Sequence, residues 1–312
     1  MSKVLITGGA GFIGSNLAER LIGEGHQITI VDDLSMGLKE NIPDSKQVTF
    51  YEHSIIDHGF MEKLLVDNDF EYIFLLAAVA SVADSIERPL YTHEVNQEAN
   101  IYILEAIRTN GLKPKKVLFS SSAAVYGNEQ ELPKREISKV SPITPYAIDE
   151  FATERYLVTY ANLYKLNFVT VRFFNVYGPR QNPKSPYSGV ISILTEALQK
   201  GTEFKIFGDG EQSRDFVYIS DVLDALELLT FGSNVKGDVF NIATGHETSL
   251  NQIVRTYQKI AQTDINVSMQ DARTGDIKVS VASVDKLKEL GYMPKISVSE
   301  GLTRYWQYIN LN

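Results

Sequence analysis

Short apolar runs recur along the first half of the chain, each followed by a stretch with one apolar face at helical spacing. Val4–Ile6, Gln27–Val31, Tyr72–Leu76, Lys116–Ser120 and Phe168–Arg172 read as strands. Gly14–Ile22, Gly59–Val66, Glu94–Asn110 and Tyr146–Tyr164 read as the helices between them. The strand runs are continuous rather than alternating, the pattern of strands covered on both faces. Strands that alternate with helices predict an α/β fold with a doubly wound parallel sheet. After Arg172 the rhythm changes. Gly178–Pro183 is a loop, Ile191–Lys200 a helix, Gly208–Gly210 a turn and Val239–Ile242 one more strand. Gln252–Gln262 and Val284–Leu290 read as helices. The pattern predicts a large domain over 1–173, with return segments near 215–245. A smaller interleaved domain is expected over 174–214 and 246–312.

Composition narrows the chemistry. The chain has 312 residues, 44% hydrophobic and 22% charged, which supplies a core and argues against disorder. The formal charge of −9 argues against nucleic acid as a partner. With no cysteine, disulfides, thiolate catalysis and Cys-based metal sites are excluded. The five histidines form no ligand pair of the HExxH type, and no metal is expected. His53 and His58 are expected to be solvated near a loop. No run approaches the roughly 18 apolar residues of a membrane span, so no membrane partner is expected. Lys3 leads directly into the first strand; no signal peptide is read there, and a cytoplasmic location is the expectation.

The first turn carries the strongest local signal. Thr7–Gly14 places glycines at 8, 11 and 14, between a strand and a helix. Gly8 permits the tight turn, Gly11 lets the backbone approach a pyrophosphate, and Gly14 lets the helix pack closely on the strand. Phe12 and Ile13 open the helix, whose first-turn N–H groups and partial positive charge suit phosphate. This is the phosphate turn of a Rossmann-type sheet. Asp32 ends the second strand 18 residues after Gly14 and is placed to accept from the adenosine ribose hydroxyls. A carboxylate there repels a 2′-phosphate, so NAD is expected rather than NADP. Asp33 next to it is the alternative acid.

Four further segments complete a set. They are Lys116–Gly127 with the triplet Ser120-Ser121-Ser122, Thr144-Pro145-Tyr146, Arg172–Arg180 with Asn175, and Gln212–Tyr218 with Arg214. Arg273-Thr274-Gly275-Asp276 follows them. In this order, with the glycine loop, the chain resembles the extended short-chain dehydrogenase/reductase family over essentially its whole length. Within that family it is similar to the nucleotide-sugar 4-epimerases of the UDP-glucose or UDP-N-acetylglucosamine type. The resemblance implies that Tyr146 takes the proton from the sugar O4 while NAD takes hydride from C4. It implies that Ser122, or failing that Ser121, hydrogen-bonds O4. It places Ser54, Ile55, Leu76, Ala77, Ala78, Asn96 and Ser120 around the cofactor. Ser54 stands where the family usually has Asp, and Leu75 where it often has His. The resemblance further implies that Ser81, Asn175, Arg214, Arg273, Asp276 and Ser280 face the UDP-sugar. An arginine suits a pyrophosphate because its fork of donors is permanently charged. Small Ser280, where the family's plain-hexose enzymes carry Tyr, hints at a 2-acetamido sugar. A homodimer through helices Glu94–Asn110 and Tyr146–Tyr164 is also implied.

One position departs from the family. Its helix motif is Tyr-x-x-x-Lys, and here it reads Tyr146-Ala147-Ile148-Asp149-Glu150. The i, i+4 spacing keeps residue 150 on the Tyr146 face of the helix, with the charge reversed. A tyrosine with the ordinary pKa of about 10 is phenolate about one time in a thousand at neutral pH, a deficit of roughly 4 kcal/mol. A cation reduces that deficit and a carboxylate increases it. Three readings stay open: an impaired or slow epimerase, a silent binder of NAD and nucleotide sugar, or a related dehydratase or decarboxylase. The family's dehydratases carry Thr-Asp-Glu where this chain has Ser121-Ser122-Ala123.

Overall fold

The computed structural model describes residues 1–182, 189–272 and 277–311. The first elements are β1 (Lys3–Thr7), α1 (Phe12–Gly23), β2 (Gln27–Asp32), β3 (Val48–Glu52), α2 (His58–Asn68) and β4 (Tyr72–Leu75). They continue with α3 (Val82–Glu87), α4 (Pro89–His93), a π-helical turn (Glu94–Glu98), α5 (Ala99–Thr109), β5 (Lys116–Ser122) and α6 (Pro145–Tyr164). Next come β6 (Phe168–Phe173), β7 (Asn175–Tyr177), α7 (Val190–Lys200), β8 (Phe204–Phe207), β9 (Ser213–Tyr218) and α8 (Ile219–Thr230). The chain finishes with β10 (Asp238–Ile242), β11 (Glu247–Ser249), α9 (Leu250–Ala261), β12 (Val267–Gln270), β13 (Val279–Ser280), α10 (Asp285–Lys288) and α11 (Val298–Leu311).

Two compact units emerge. Unit 1 is Met1–Glu129, Lys139–Arg172 and Leu226–Phe240; unit 2 is Gln130–Ser138, Phe173–Ala225 and Asn241–Asn312. Residues 130–138 and 215–225 therefore group with unit 2, although their position in the chain suggests the first domain. The reason is pairing: Lys134 bridges to Ala282, and β9 pairs with β7, β11 and β13.

Unit 1 is built on a seven-stranded sheet in the order β10-β6-β5-β4-β1-β2-β3. The pairs from β3 through β5 are parallel. Successive strand residues serve opposite faces. Leu5, Ile73, Leu75, Val117 and Phe119 join one buried cluster with Met61 and Leu65 of α2, Ile103 and Ile107 of α5 and Leu157 of α6. Val4, Ile6, Phe74 and Leu118 alternate with them and are fully buried as well. Double coverage explains the unbroken apolar runs in sequence. The strand order reverses between β1 and β4, the point at which doubly wound sheets bind ligands at their carboxyl ends.

Unit 2 carries the sheet β11-β9-β13, with β7 also on β9, and a separate β8–β12 pair. Asp215 on β9 is its polar anchor. Its carboxylate accepts from the Thr244 amide and hydroxyl at 2.9 and 2.6 Å and from the Gly245 amide at 2.9 Å.

Several expected elements change. The helix expected over Glu94–Asn110 opens as the π-turn, where the Asn96 side chain bonds the Val79 backbone in the loop after β4. The strand expected to reach Leu76 ends at Leu75, and the helix over Val284–Leu290 shortens to α10. β3, α3, α4, α8 and α11 form where no element was expected.

Candidate active site

The glycine loop is held by close backbone approach. Gly8 has φ +72°, and a Cβ there would meet the Ala77 amide nitrogen at 2.7 Å. A Cβ on Gly14 would lie 2.3 Å from the Gly8 carbonyl oxygen. Thr7 completes the contact: its Oγ1 accepts from the amides of Leu76 and Ala77 at 3.1 and 3.3 Å. Leu76 and Ala77 therefore lie against the loop. Gly11 is the N-cap of α1 and no side chain caps that end, which leaves first-turn N–H groups to a ligand.

Asp32 lies 8% exposed at the end of β2. Its two oxygens accept from the amides of Ala10 and Leu34, each at 2.9 Å. Burial raises its carboxyl above the usual range, and the amides of Leu34, Ala10 and Gly11 pull it back. Two lone pairs on each oxygen leave capacity for ribose hydroxyls. A loop that tolerates no Cβ, uncapped helix amides and a strand-end carboxylate together fit a dinucleotide. Ser54 and the buried Ile55 follow β3, the neighbour of β2.

Asn96, expected near the cofactor, is buried on the π-turn. Its amide is occupied by backbone: Oδ1 accepts from the Val79 amide at 2.8 Å, and Nδ2 donates to the Val79 carbonyl at 3.2 Å. Asn96 thus fixes the loop after β4. Thr153 of α6 donates to the Asn96 carbonyl at 3.1 Å. Ser81 is buried and caps α3, accepting from the Asp84 amide at 2.9 Å.

β5 delivers the serine triplet. Ser120 donates to the Leu75 carbonyl at 3.1 Å, the Ser121 hydroxyl is buried without a partner, and Ser122 ends the strand. Ser122 accepts from the Ala124 amide at 3.3 Å, and its hydroxyl lies close enough to the Tyr146 phenol to act on its ionisation. Tyr146 begins α6, whose start is fixed by Thr144 as N-cap, accepting from Ala147 at 3.2 Å, and by Pro145 in the first turn. Burial raises the Tyr146 phenol most, the nearby Glu150 carboxyl raises it further, and the neighbouring Ser122 hydroxyl opposes both.

Glu150 lies one turn on and is 1% exposed. Its Oε2 is enclosed with no hydrogen-bond partner. Burial, then Asp149, then Glu154 push its carboxyl well above the usual range. The flanking acids are paired. Asp149 meets His93 Nδ1 at 2.8 Å. Glu154 receives two bonds from Arg172, Nε to Oε2 at 2.9 Å and the terminal nitrogen to Oε1 at 2.6 Å. The Arg172 guanidinium also lies 4.8 Å from the Tyr126 ring centre. Sequence reasoning missed Thr7, Asp149, Glu154 and Arg172. The signal for Glu154 was available as the i+8 continuation of the Tyr146 face.

In unit 2, β9 gathers three of the expected substrate residues. Arg214 is the register partner of Ser280 on β13, and Phe216, two residues on, is the partner of Asn175 on β7. Arg214, Asn175 and Ser280 therefore share one face of that sheet. Asn175 donates to the Asp215 carbonyl at 3.1 Å, and Arg214 to the Ser213 carbonyl at 2.8 Å. Arg273 and Asp276 lie outside the described residues. His53 and His58 stack on Phe60 and Tyr102, each with ring centres 3.9 Å apart. Among the described residues no group of three or more His, Cys, Asp or Glu is arranged to hold a metal ion. Among them, too, no helix is long and apolar enough to cross a membrane.

The profile of the NAD dependent epimerase/dehydratase family matches residues 4–243. Among solved structures, the UDP-glucose 4-epimerase of Thermotoga maritima with UDP-glucose is 39% identical, with TM-score 0.93 and 99% of each chain covered. The UDP-N-acetylglucosamine 4-epimerase of Methanobrevibacter ruminantium, in complex with UDP-N-acetylmuramic acid, is 36% identical at TM-score 0.93, covering 99% of this chain and 98% of that one. The Thermus thermophilus UDP-glucose 4-epimerase, in complex with NAD, is 33% identical at TM-score 0.90, with 99% of each chain covered.

Proposed function

The chain belongs to the NAD dependent epimerase/dehydratase family, and on that premise we propose that it inverts C4 of a UDP-sugar by transient oxidation. The observation that carries the reading is the juxtaposition of Ser122, at the carboxyl end of β5, with Tyr146, at the start of α6. NAD, when bound, supplies the hydride acceptor and donor at C4. Gly8, Gly11 and Gly14, with the first-turn amides of Phe12 and Ile13, receive its pyrophosphate, and Asp32 its adenosine ribose. Tyr146 accepts the O4 proton as the C4–H bond breaks and returns it when the ketone is reduced. Ser122 donates to O4 and holds it toward Tyr146. Asn175, Arg214 and Ser280, with Arg273 and Asp276, are assigned to the UDP-sugar. Ser280 favours UDP-N-acetylglucosamine and UDP-N-acetylgalactosamine over the plain hexose pair by volume. A homodimer and a cytoplasmic location are part of the same reading.

Glu150 favours a second reading, a protein that binds NAD and nucleotide sugar without turning them over. The two part on one experiment. Purified protein is given UDP-glucose or UDP-N-acetylglucosamine, and the C4 epimer is followed by proton NMR, beside Tyr146→Phe and Glu150→Lys. The epimerase reading expects product, a loss of about 10²- to 10⁴-fold in Tyr146→Phe and a faster Glu150→Lys. NAD and UDP-sugar binding with no product in any variant favours the silent binder.

A further inference from the structure

Glu150 stands apart from the other buried acids of its neighbourhood. Asp149 has His93 and Glu154 has Arg172, whereas Glu150 is almost wholly enclosed and its Oε2 accepts from nothing. The charges acting on it are those of Asp149 and Glu154, on its own helix. From the elements packed against α6, the facing titratable groups are already engaged. His93 of α4 is on Asp149, Asp84 of α3 is paired with Arg88, Glu105 of α5 is bonded by Arg108 and Tyr160, and Arg172 of β6 is on Glu154. The π-turn contributes Glu94 and Glu98, two more acids. β5 presents serines. The turn Ala123–Tyr126, also packed on α6, brings Tyr126, which lies against Arg172, and Tyr146 becomes negative when it ionises. Among the described residues no cation acts on an ionised Glu150.

The topology names one from outside. If the glycine loop and Asp32 took the adenosine half over β1 and β2, a dinucleotide crossing the switch point would set its other half over β4 and β5. Ser122 ends β5 and lies close to Tyr146, one helical turn from Glu150. The nicotinamide ring is a cation when oxidised and neutral when reduced. We infer that Glu150 discriminates the two forms of the cofactor: it rests as the neutral acid, releases its proton when the oxidised cofactor binds, and retains it when the reduced cofactor binds. The inference rests on the proposed NAD site.

This makes Glu150 a specificity residue for redox form. Its effect grows with pH, because each pH unit makes ionisation tenfold easier and only the oxidised complex gains from it. The test is calorimetric titration of NAD and of NADH into the protein between pH 6 and 9, in buffers of different ionisation enthalpy. The expected result is proton release on NAD binding alone. The ratio of the NADH to the NAD dissociation constant should rise toward tenfold per pH unit. The rise should persist in Tyr146→Phe, which removes the other titrating neighbour, and vanish in Glu150→Gln. A flat ratio in the unmodified protein, or a rise that survives Glu150→Gln, overturns the inference. If neither nucleotide binds, the proposed NAD site fails and the inference goes with it. Should Glu150→Gln not fold, the unmodified protein and Tyr146→Phe still decide.

Discussion

Asp32 and Glu150 are two buried carboxyls in the same unit, and the protein treats them oppositely. Asp32 sits where two strand-end loops turn amide N–H groups inward, so its charge is met by Ala10 and Leu34 at 2.9 Å each. Glu150 sits in mid-helix, where every backbone N–H is already spent on the helix itself. Burial penalises both carboxylates, but only Asp32 receives donors in return. The ionisation of a buried acid is thus decided by which element carries it: a loop supplies backbone donors and a helix interior does not. Glu154, also on α6, shows the other solution, a cation imported from β6.

The largest effect expected from breaking this contrast is at Arg172. Arg172→Ala leaves Glu154 buried and uncompensated, and urea denaturation should show a loss of about 3–5 kcal/mol. A loss below about 1 kcal/mol would mean that water reaches Glu154. Next is Asp32→Asn, which sets an amide group against a backbone N–H that now meets a carboxylate. It should cost about 1–3 kcal/mol by the same measurement and weaken NAD binding.

The smallest change, and the most informative for Glu150, is Glu150→Gln. The folded protein holds the Glu150 proton more tightly than the unfolded chain does. Its stabilising share is therefore complete below the ordinary value of 4.5 and is lost as pH rises above it toward the raised folded value. Glu150→Gln should flatten the stability–pH curve there by up to about 1.4 kcal/mol per pH unit. Superimposable curves for the two proteins would place an ordinary, solvated carboxylate at position 150.

The same contrast describes how far the sequence could be read. The strands of the seven-stranded sheet stand out because both faces are buried, so their apolar runs are unbroken. The edge strand β3 escaped because it alternates Thr49, Tyr51 and Glu52 with its apolar residues and is largely exposed. The short strands of unit 2, some only two or three residues long, leave too little period to detect. At the site, Gly8, Gly14 and Asp32 were legible because backbone geometry dictates them locally. Glu150 was legible only as a reversal of charge, which suggested a carboxylate opposing Tyr146. Its protonation depends on the Asp149–His93 and Glu154–Arg172 pairs, formed by residues 56 and 18 positions apart, and no local pattern carries that. The bond from Val79 that holds the Asn96 amide spans 17 residues, and no local pattern shows it either.

The central claim is that Glu150 rests as a neutral acid behind Tyr146, and infrared difference spectroscopy of the unmodified protein against Glu150→Gln at neutral pH reads it directly. The account predicts a protonated-carboxyl C=O stretch in the unmodified protein that is missing from Glu150→Gln and is lost when NAD is added. A carboxylate band for Glu150 without cofactor would contradict it.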